Sequence, residues 1–373
     1  MAIVSGKAVT LVSTSAASTD ARRGSDAFPL FLNARLCDEG CDKSVAFILC
    51  HPAGNFTTHY LLPHLHRNGA AALGMATRYI NNELELTMER CIQDLGRGVE
   101  FLRDQGYEKV ILVGNSGGGS LSCLYQSEAE NPTIATLPDG EAIEIDGLSK
   151  ADAIALVAPH PSRAHALTEW LDPAFIDESN PLIRDQEFDL FIQRPVPFDR
   201  DWIRTFRNAQ VARNRRISQN ALATLAELRT RSDGPREQIL LVHGTGADPR
   251  FVDLTLDPNG RKARSLELTK RLNEAHLSMG RLSTMRTWLS QWSIDHSRAN
   301  GPACHARTSV PVLCIEFEND EIVYPSYLRS YAEARADGFT SEVLGGATHF
   351  MIGLNELQDQ LARRLVTWAR ELP

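Results

Sequence analysis

Lys109 to Ser120 reads Lys-Val-Ile-Leu-Val-Gly-Asn-Ser-Gly-Gly-Gly-Ser, and Ser116 within it is the residue best placed to do chemistry. A serine hydroxyl is a weak nucleophile at neutral pH. It needs a base within hydrogen-bond reach and donors that hold the negative charge created by its attack. Val110 to Val113 is a short apolar run of the kind buried on both faces of a sheet, and Leu121 to Tyr125 supplies the apolar start of a helix. Strand, tight turn and helix put Ser116 at the apex, where small neighbours let the backbone pass close by. The amide of Gly117 can then point at an oxyanion, with the helix N-terminus adding favourable potential. The competing chemistry for a glycine-rich strand-to-helix turn is phosphate binding. Here no Gly-Lys-Ser/Thr ending follows, and the spacing is not G-x-G-x-x-G.

Gly114-Asn115-Ser116-Gly117-Gly118 resembles the nucleophile elbow of the α/β-hydrolase superfamily. The resemblance implies a histidine, an acid and an oxyanion loop at other strand ends, in the chain order serine, acid, histidine. Gly345-Gly346-Ala347-Thr348-His349-Phe350 resembles the family's histidine loop, which makes His349 the expected base. Phe317-Glu318-Asn319-Asp320-Glu321-Ile322-Val323 resembles its Gly-x-x-Asp-x-x-Val segment, with Phe317 in place of the glycine; Asp320 is the expected acid. Glu316, Glu318 and Glu321 stand beside it as alternatives. His51-Pro52-Ala53-Gly54 resembles the His-Gly oxyanion loop. Pro52 has no N–H to give, so the second donor is assigned to the amide of Ala53 with Gly54 in reserve, beside Gly117. His51 is read as bracing this loop, and His51, Asn55, Asn115, Trp288 and Trp292 are the candidate lining of a substrate pocket.

These residues need a sheet to bring them together. Val9 to Val12 and Phe28 to Leu36 read as early antiparallel strands, followed by strands at Val45 to Cys50, Ala70 to Thr77, Val110 to Val113, Ala153 to Ala158, Val310 to Phe317 and Ser341 to Leu344. Met88, Ile92, Leu95, Val99 and Leu102 form one apolar helix face, and Leu357, Leu361, Leu365 and Trp368 another. Alternation of strand and helix predicts a mostly parallel α/β sheet covered on both sides. Glu128 to Lys150 reads as a polar surface excursion. From Ser162 to about Ala306 the strand rhythm stops, and Ala209 to Arg231 and Ser265 to Trp292 read as helical. The expected division is a hydrolase core, 1–160 and 305–373, with a largely helical insertion, 161–304, between the sixth and seventh sheet strands. The resemblance implies that the insertion is a cap. His243-Gly244-Thr245-Gly246, after Gln238 to Val242, resembles a second oxyanion loop but follows the elbow instead of preceding it, so it is taken as a turn of the insertion.

Composition narrows the partners. The chain has 373 residues, 43% of them hydrophobic and 23% charged, as in ordinary globular domains. A formal net charge of −8 argues against nucleic acid and anionic membrane surfaces. No apolar run approaches a membrane span, and Met1 to Arg23 lacks the pattern of a secretory leader. Seven cysteines, an odd count with Cys50 and Cys314 in apparent buried strands, fit free thiols in a reducing cytoplasm. Cys37 and Cys41, and likewise His296 and His305, lack further ligands at metal spacing, so neither a metal nor any other cofactor is expected. The expected function is a serine hydrolase, an esterase or lactonase acting on a small apolar or aromatic substrate. Carbon–carbon hydrolysis, acyl transfer and non-catalytic binding of a small molecule remain open on the same residues. The sequence leaves the oligomeric state open, a homodimer being one option.

Overall fold

A computed structural model describes residues 6–13, 30–145, 147–192, 194–276 and 278–373. Phe28, at the start of the second expected strand, and most of the stretch read for a leader lie outside these residues. Eight strands form the main sheet: β1 (Lys7–Ser13), β2 (Leu30–Cys37), β3 (Val45–His51), β4 (Ala71–Ala76), β5 (Lys109–Ser116), β6 (Ala153–Pro159), β9 (Val312–Phe317) and β10 (Phe339–Leu344). Their order is β1-β2-β4-β3-β5-β6-β9-β10. Only the β1–β2 and β2–β4 pairings are antiparallel. The central strands β3 to β6 are buried almost throughout, as their uninterrupted apolar sequences require once helices cover both faces.

One face packs α2 (Met88–Asp104), α3 (Gly118–Glu130) and α9 (Pro325–Ala334) through Ile92, Leu95, Leu121, Tyr125 and Tyr331. The other packs α1 (Leu61–Arg67) and α10 (Asn355–Glu371) through Leu61, Leu65, Leu361, Leu365 and Trp368. Parallel strands all deliver their carboxyl ends to one edge. That edge collects the loops after β3, β5, β6, β9 and β10.

Between β6 and β9 lie α4 (Arg163–Trp170), the long α5 (Arg200–Thr230), α6 (Leu266–Glu274), α7 (Met285–Thr287) running into one π-turn at Trp288–Trp292, and α8 (Gly301–His305). Ser265 to Trp292 is not one helix. α6 stops at Glu274, Gly280 then turns at φ +70° against Leu167, and β8 (Leu282–Thr284) pairs antiparallel with β7 (Ile239–Leu241) in a separate two-stranded sheet. This pairing accounts for the strand-like Gln238–Val242 segment. The turn after it is structural: Arg213 donates to the carbonyls of His243 and Gly244, and Gly244 lies where a Cβ would strike the Phe175 ring. Leu167, Ile217, Leu225, Trp288 and Trp292 give this segment a core of its own.

Cys41, Cys50, Cys91, Cys123, Cys304 and Cys314 form no disulfide. Among the described residues no helix is long and apolar enough to cross a membrane, and no three His, Cys, Asp or Glu side chains are grouped to hold a metal ion. His296 instead meets Ser293, and His305 meets the carbonyl of Arg335.

Candidate active site

β5 runs straight into α3, and the chain turns so sharply between them that Ser116 sits at φ +55°. A non-glycine residue there carries strain on the order of 1–3 kcal/mol, held by the packing around it. That packing is tight. A Cβ on Gly114 would come 2.7 Å from Gly119 Cα, and one on Gly118 would come 2.5 Å from the carbonyl oxygen of Cys50 on β3. The amide of Ser116's successor, Gly117, lies at the first turn of α3, where backbone N–H groups lack acceptors within the helix.

The loops after β9 and β10 bring Asp320 and His349 to this apex. Nε2 of His349 is 3.1 Å from Ser116 Oγ, and its Nδ1 is 2.9 Å from Asp320 Oδ2. A carboxylate only accepts, so Nδ1 carries the proton and a neutral ring keeps Nε2 free to accept the serine's. Oδ1 of Asp320 is fixed by the amides of Ile322 and Val323, at 2.8 and 2.7 Å. Both side chains are buried. Burial, the strongest influence on His349, disfavours its charged form; the charge and hydrogen bond of Asp320, with help from Glu321, outweigh burial and raise its pKa above the ordinary imidazole value. Glu318 accepts from the amide of Gly346, and Glu321 from the backbone amide of His349.

The oxyanion side departs from the expected arrangement. The amides of Ala53 and Gly54 both donate to Nδ1 of their own loop's His51, at 3.2 and 2.8 Å. In accepting both, His51 engages the two backbone donors assigned to the substrate. Of the other expected lining residues, Asn55 accepts from the amide and hydroxyl of Thr57. Asn115 links His59 to the carbonyl of Val157. Trp288 is sealed in the insertion's core, its indole N–H donating to Ser218, while Trp292 carries the Arg163 guanidinium 4.5 Å from its ring centre. Asn115 and Trp288 are buried, whereas Asn55 is exposed.

Two residues absent from the sequence reading lie at this edge. His160, directly after β6, is buried with its ring 6.1 Å from that of His349, and its amide donates to the carbonyl of Ser116. Arg163 opens α4, is buried, pairs with Glu83, and places Nη1 3.4 Å from where a Cβ on Gly117 would be. The sequence signal for both was their place just past the carboxyl end of a central strand. The insertion also reaches the acid loop, where Asn259 donates to the carbonyl of Asp320 and the amide of Gly260 to that of Glu318.

No family model matches the chain, and no curated protein matches it in sequence. Among solved structures, DcsB, in complex with its substrate analogue, is similar over 98% of this chain and 99% of its own, with 13% identity and a TM-score of 0.52. The esterase domain of a Rhodothermus marinus protein is similar over 98% of both chains, with 12% identity and a TM-score of 0.48. At 13% identity the likeness to DcsB speaks for the fold alone, and together with the sheet order it gives the α/β-hydrolase fold.

Proposed function

We propose that this α/β-hydrolase-fold chain is a serine hydrolase that cleaves an ester or lactone of a small, apolar or aromatic substrate through an acyl-enzyme. One observation carries the reading: Ser116, His349 and Asp320, from three separate loops, join in a single hydrogen-bonded line with a buried acid at its end. Ser116 Oγ attacks the carbonyl carbon while Nε2 of His349 takes its proton. Asp320 holds the ring in the required tautomer and stabilises the imidazolium. The amide of Gly117 donates to the oxyanion. Collapse of the adduct expels the alcohol, which receives the proton from Nε2, and a water activated by the same ring releases the acid.

The insertion, 161–304, is proposed as a cap over this edge. The hydrogen bonds of Asn259 and Gly260 to the acid loop, and the place of Arg163 beside Gly117, support that reading. Carbon–carbon hydrolysis and acyl transfer would use the same three residues, so substrate choice is left to assay.

The test is labelling by a fluorophosphonate read by intact mass, followed by turnover of aryl esters. The expected result is one adduct on the wild type, none on Ser116→Ala or His349→Ala, and ester turnover by the wild type only. A well-folded wild type that neither labels nor turns over esters would overturn the reading in favour of a non-catalytic binding protein.

A further inference from the structure

The oxyanion side has one amide donor in place, that of Gly117, and a loop whose next two amides are already engaged. Pro52 has no N–H, and those of Ala53 and Gly54 are turned to Nδ1 of His51. A ring nitrogen that accepts two N–H bonds carries no proton, so in the neutral ring the proton is on Nε2. That atom faces the nucleophile's neighbour, since a Cβ on Gly117 would come within 2.8 Å of it. No hydrogen-bond partner for it is found among the described residues. The ring is held in place by its own loop and by Phe56, 5.3 Å away between ring centres.

We infer that His51 is a catalytic residue whose Nε2–H, with the Gly117 amide, forms the oxyanion hole, a task assigned in the sequence to the Ala53 amide. The inference rests on the serine-hydrolase reading. Its chemistry is donation only: the proton stays on Nε2 while negative charge forms and leaves the substrate oxygen. The surroundings suit a donor that does not titrate into another role. Burial first, then the Arg163 guanidinium with Nη1 3.4 Å from the same Gly117 position, hold the His51 pKa well below the ordinary value, so the ring stays neutral. Arg163 also brings positive potential to the place where the oxyanion would form. The two amides satisfied by Nδ1 then serve the chemistry indirectly, by fixing the tautomer and the aim of the ring.

The test is His51→Asn, whose side-chain oxygen can still accept from amides two and three residues on, as in an Asx-turn, but which has no group reaching Gly117. Wild type and variant are compared on an aryl ester and its thionoester, because sulfur accepts hydrogen bonds poorly and an intact oxyanion hole prefers oxygen. The expected result is a fall in kcat of roughly 100-fold or more, little change in KM, an unchanged melting temperature and a reduced preference for the ester. Should His51→Asn melt early, the same comparison is made with 4-thiazolylalanine at position 51. That side chain keeps the acceptor at the Nδ1 position and replaces Nε2–H with a sulfur that bears no proton. An ester preference that stays at the wild-type value, or a kcat that does not fall, overturns the inference while leaving the serine-hydrolase reading intact. A wild type without labelling or turnover removes both.

Discussion

At the scale of single residues, the proposed chemistry depends on which form of His349 is present. The base must be neutral, and its pKa lies above the ordinary imidazole value because Asp320 outweighs burial. kcat/KM should therefore rise with pH through an inflection above about 6.5. Asp320→Asn removes the charge and leaves burial, which disfavours the imidazolium. The inflection should then move to lower pH, and the plateau should fall by roughly 10⁴-fold as the ring loses its tautomer. A pH-rate profile of both proteins on one aryl ester checks this. An unmoved inflection in Asp320→Asn would shift the role to another carboxylate, and Glu321, whose Oε2 is 3.2 Å from the His349 amide nitrogen, would be the one to test.

At the scale of elements, the elbow is a place where three strands and a helix crowd together. Gly118 abuts the end of β3, and a Cβ on Gly119 would come 2.6 Å from Pro159 Cβ at the end of β6. Gly118→Ala must push backbone against backbone, which flexible side chains cannot relieve. The expected loss is about 1–3 kcal/mol of unfolding free energy by urea titration, with Gly147→Ala, where nothing lies within 4 Å, as the neutral control. Most of this architecture was legible in sequence, for physical reasons. Val45–Cys50 and Val110–Val113 are uninterrupted apolar runs because strands buried on both faces admit nothing else. The motif residues sit at their ends because parallel strands share a carboxyl edge. What was not legible depends on non-local or atomic detail. β7 and β8 are three residues each and exist only through pairing across some forty residues. Arg163 belongs to no motif in the sequence, and only α4 puts it beside Gly117. The donor on the oxyanion side turns on which nitrogen of His51 accepts from its own loop, and residue identity does not encode that choice.

At the scale of the whole molecule, a buried charge cluster inside the insertion meets the core at the hydroxyl of Tyr327. Arg250 lies against Asp248, Glu169 and the hydroxyl of Tyr327 on α9, while Arg207 reaches Asp248 at 2.7 Å. Arg250 and Asp248 are buried, so their mutual charge is poorly screened and the loss of one partner leaves the others uncompensated. Arg250→Met, of similar length, should lower stability at pH 7 by about 3 kcal/mol, the lower part of the range for breaking a buried pair, because Arg207 still serves Asp248. The dependence on acid follows from the sign of the shifts. Burial alone would raise the carboxyl pKa of Glu169, yet Arg250, then the His165 contact and Arg207, bring it well below the usual carboxylate range. A depressed folded pKa contributes stability that is full above the unfolded value, roughly 4.3 for glutamate, and is lost as pH falls through the folded value. Arg250→Met removes the largest of the lowering influences and leaves burial. The variant should then lose less stability on acidification than the wild type, and the two urea curves should converge below about pH 4. A stability difference that stays at its pH 7 size well below pH 4, with both proteins still folded, would show that Arg250 does not hold the Glu169 carboxylate in solution.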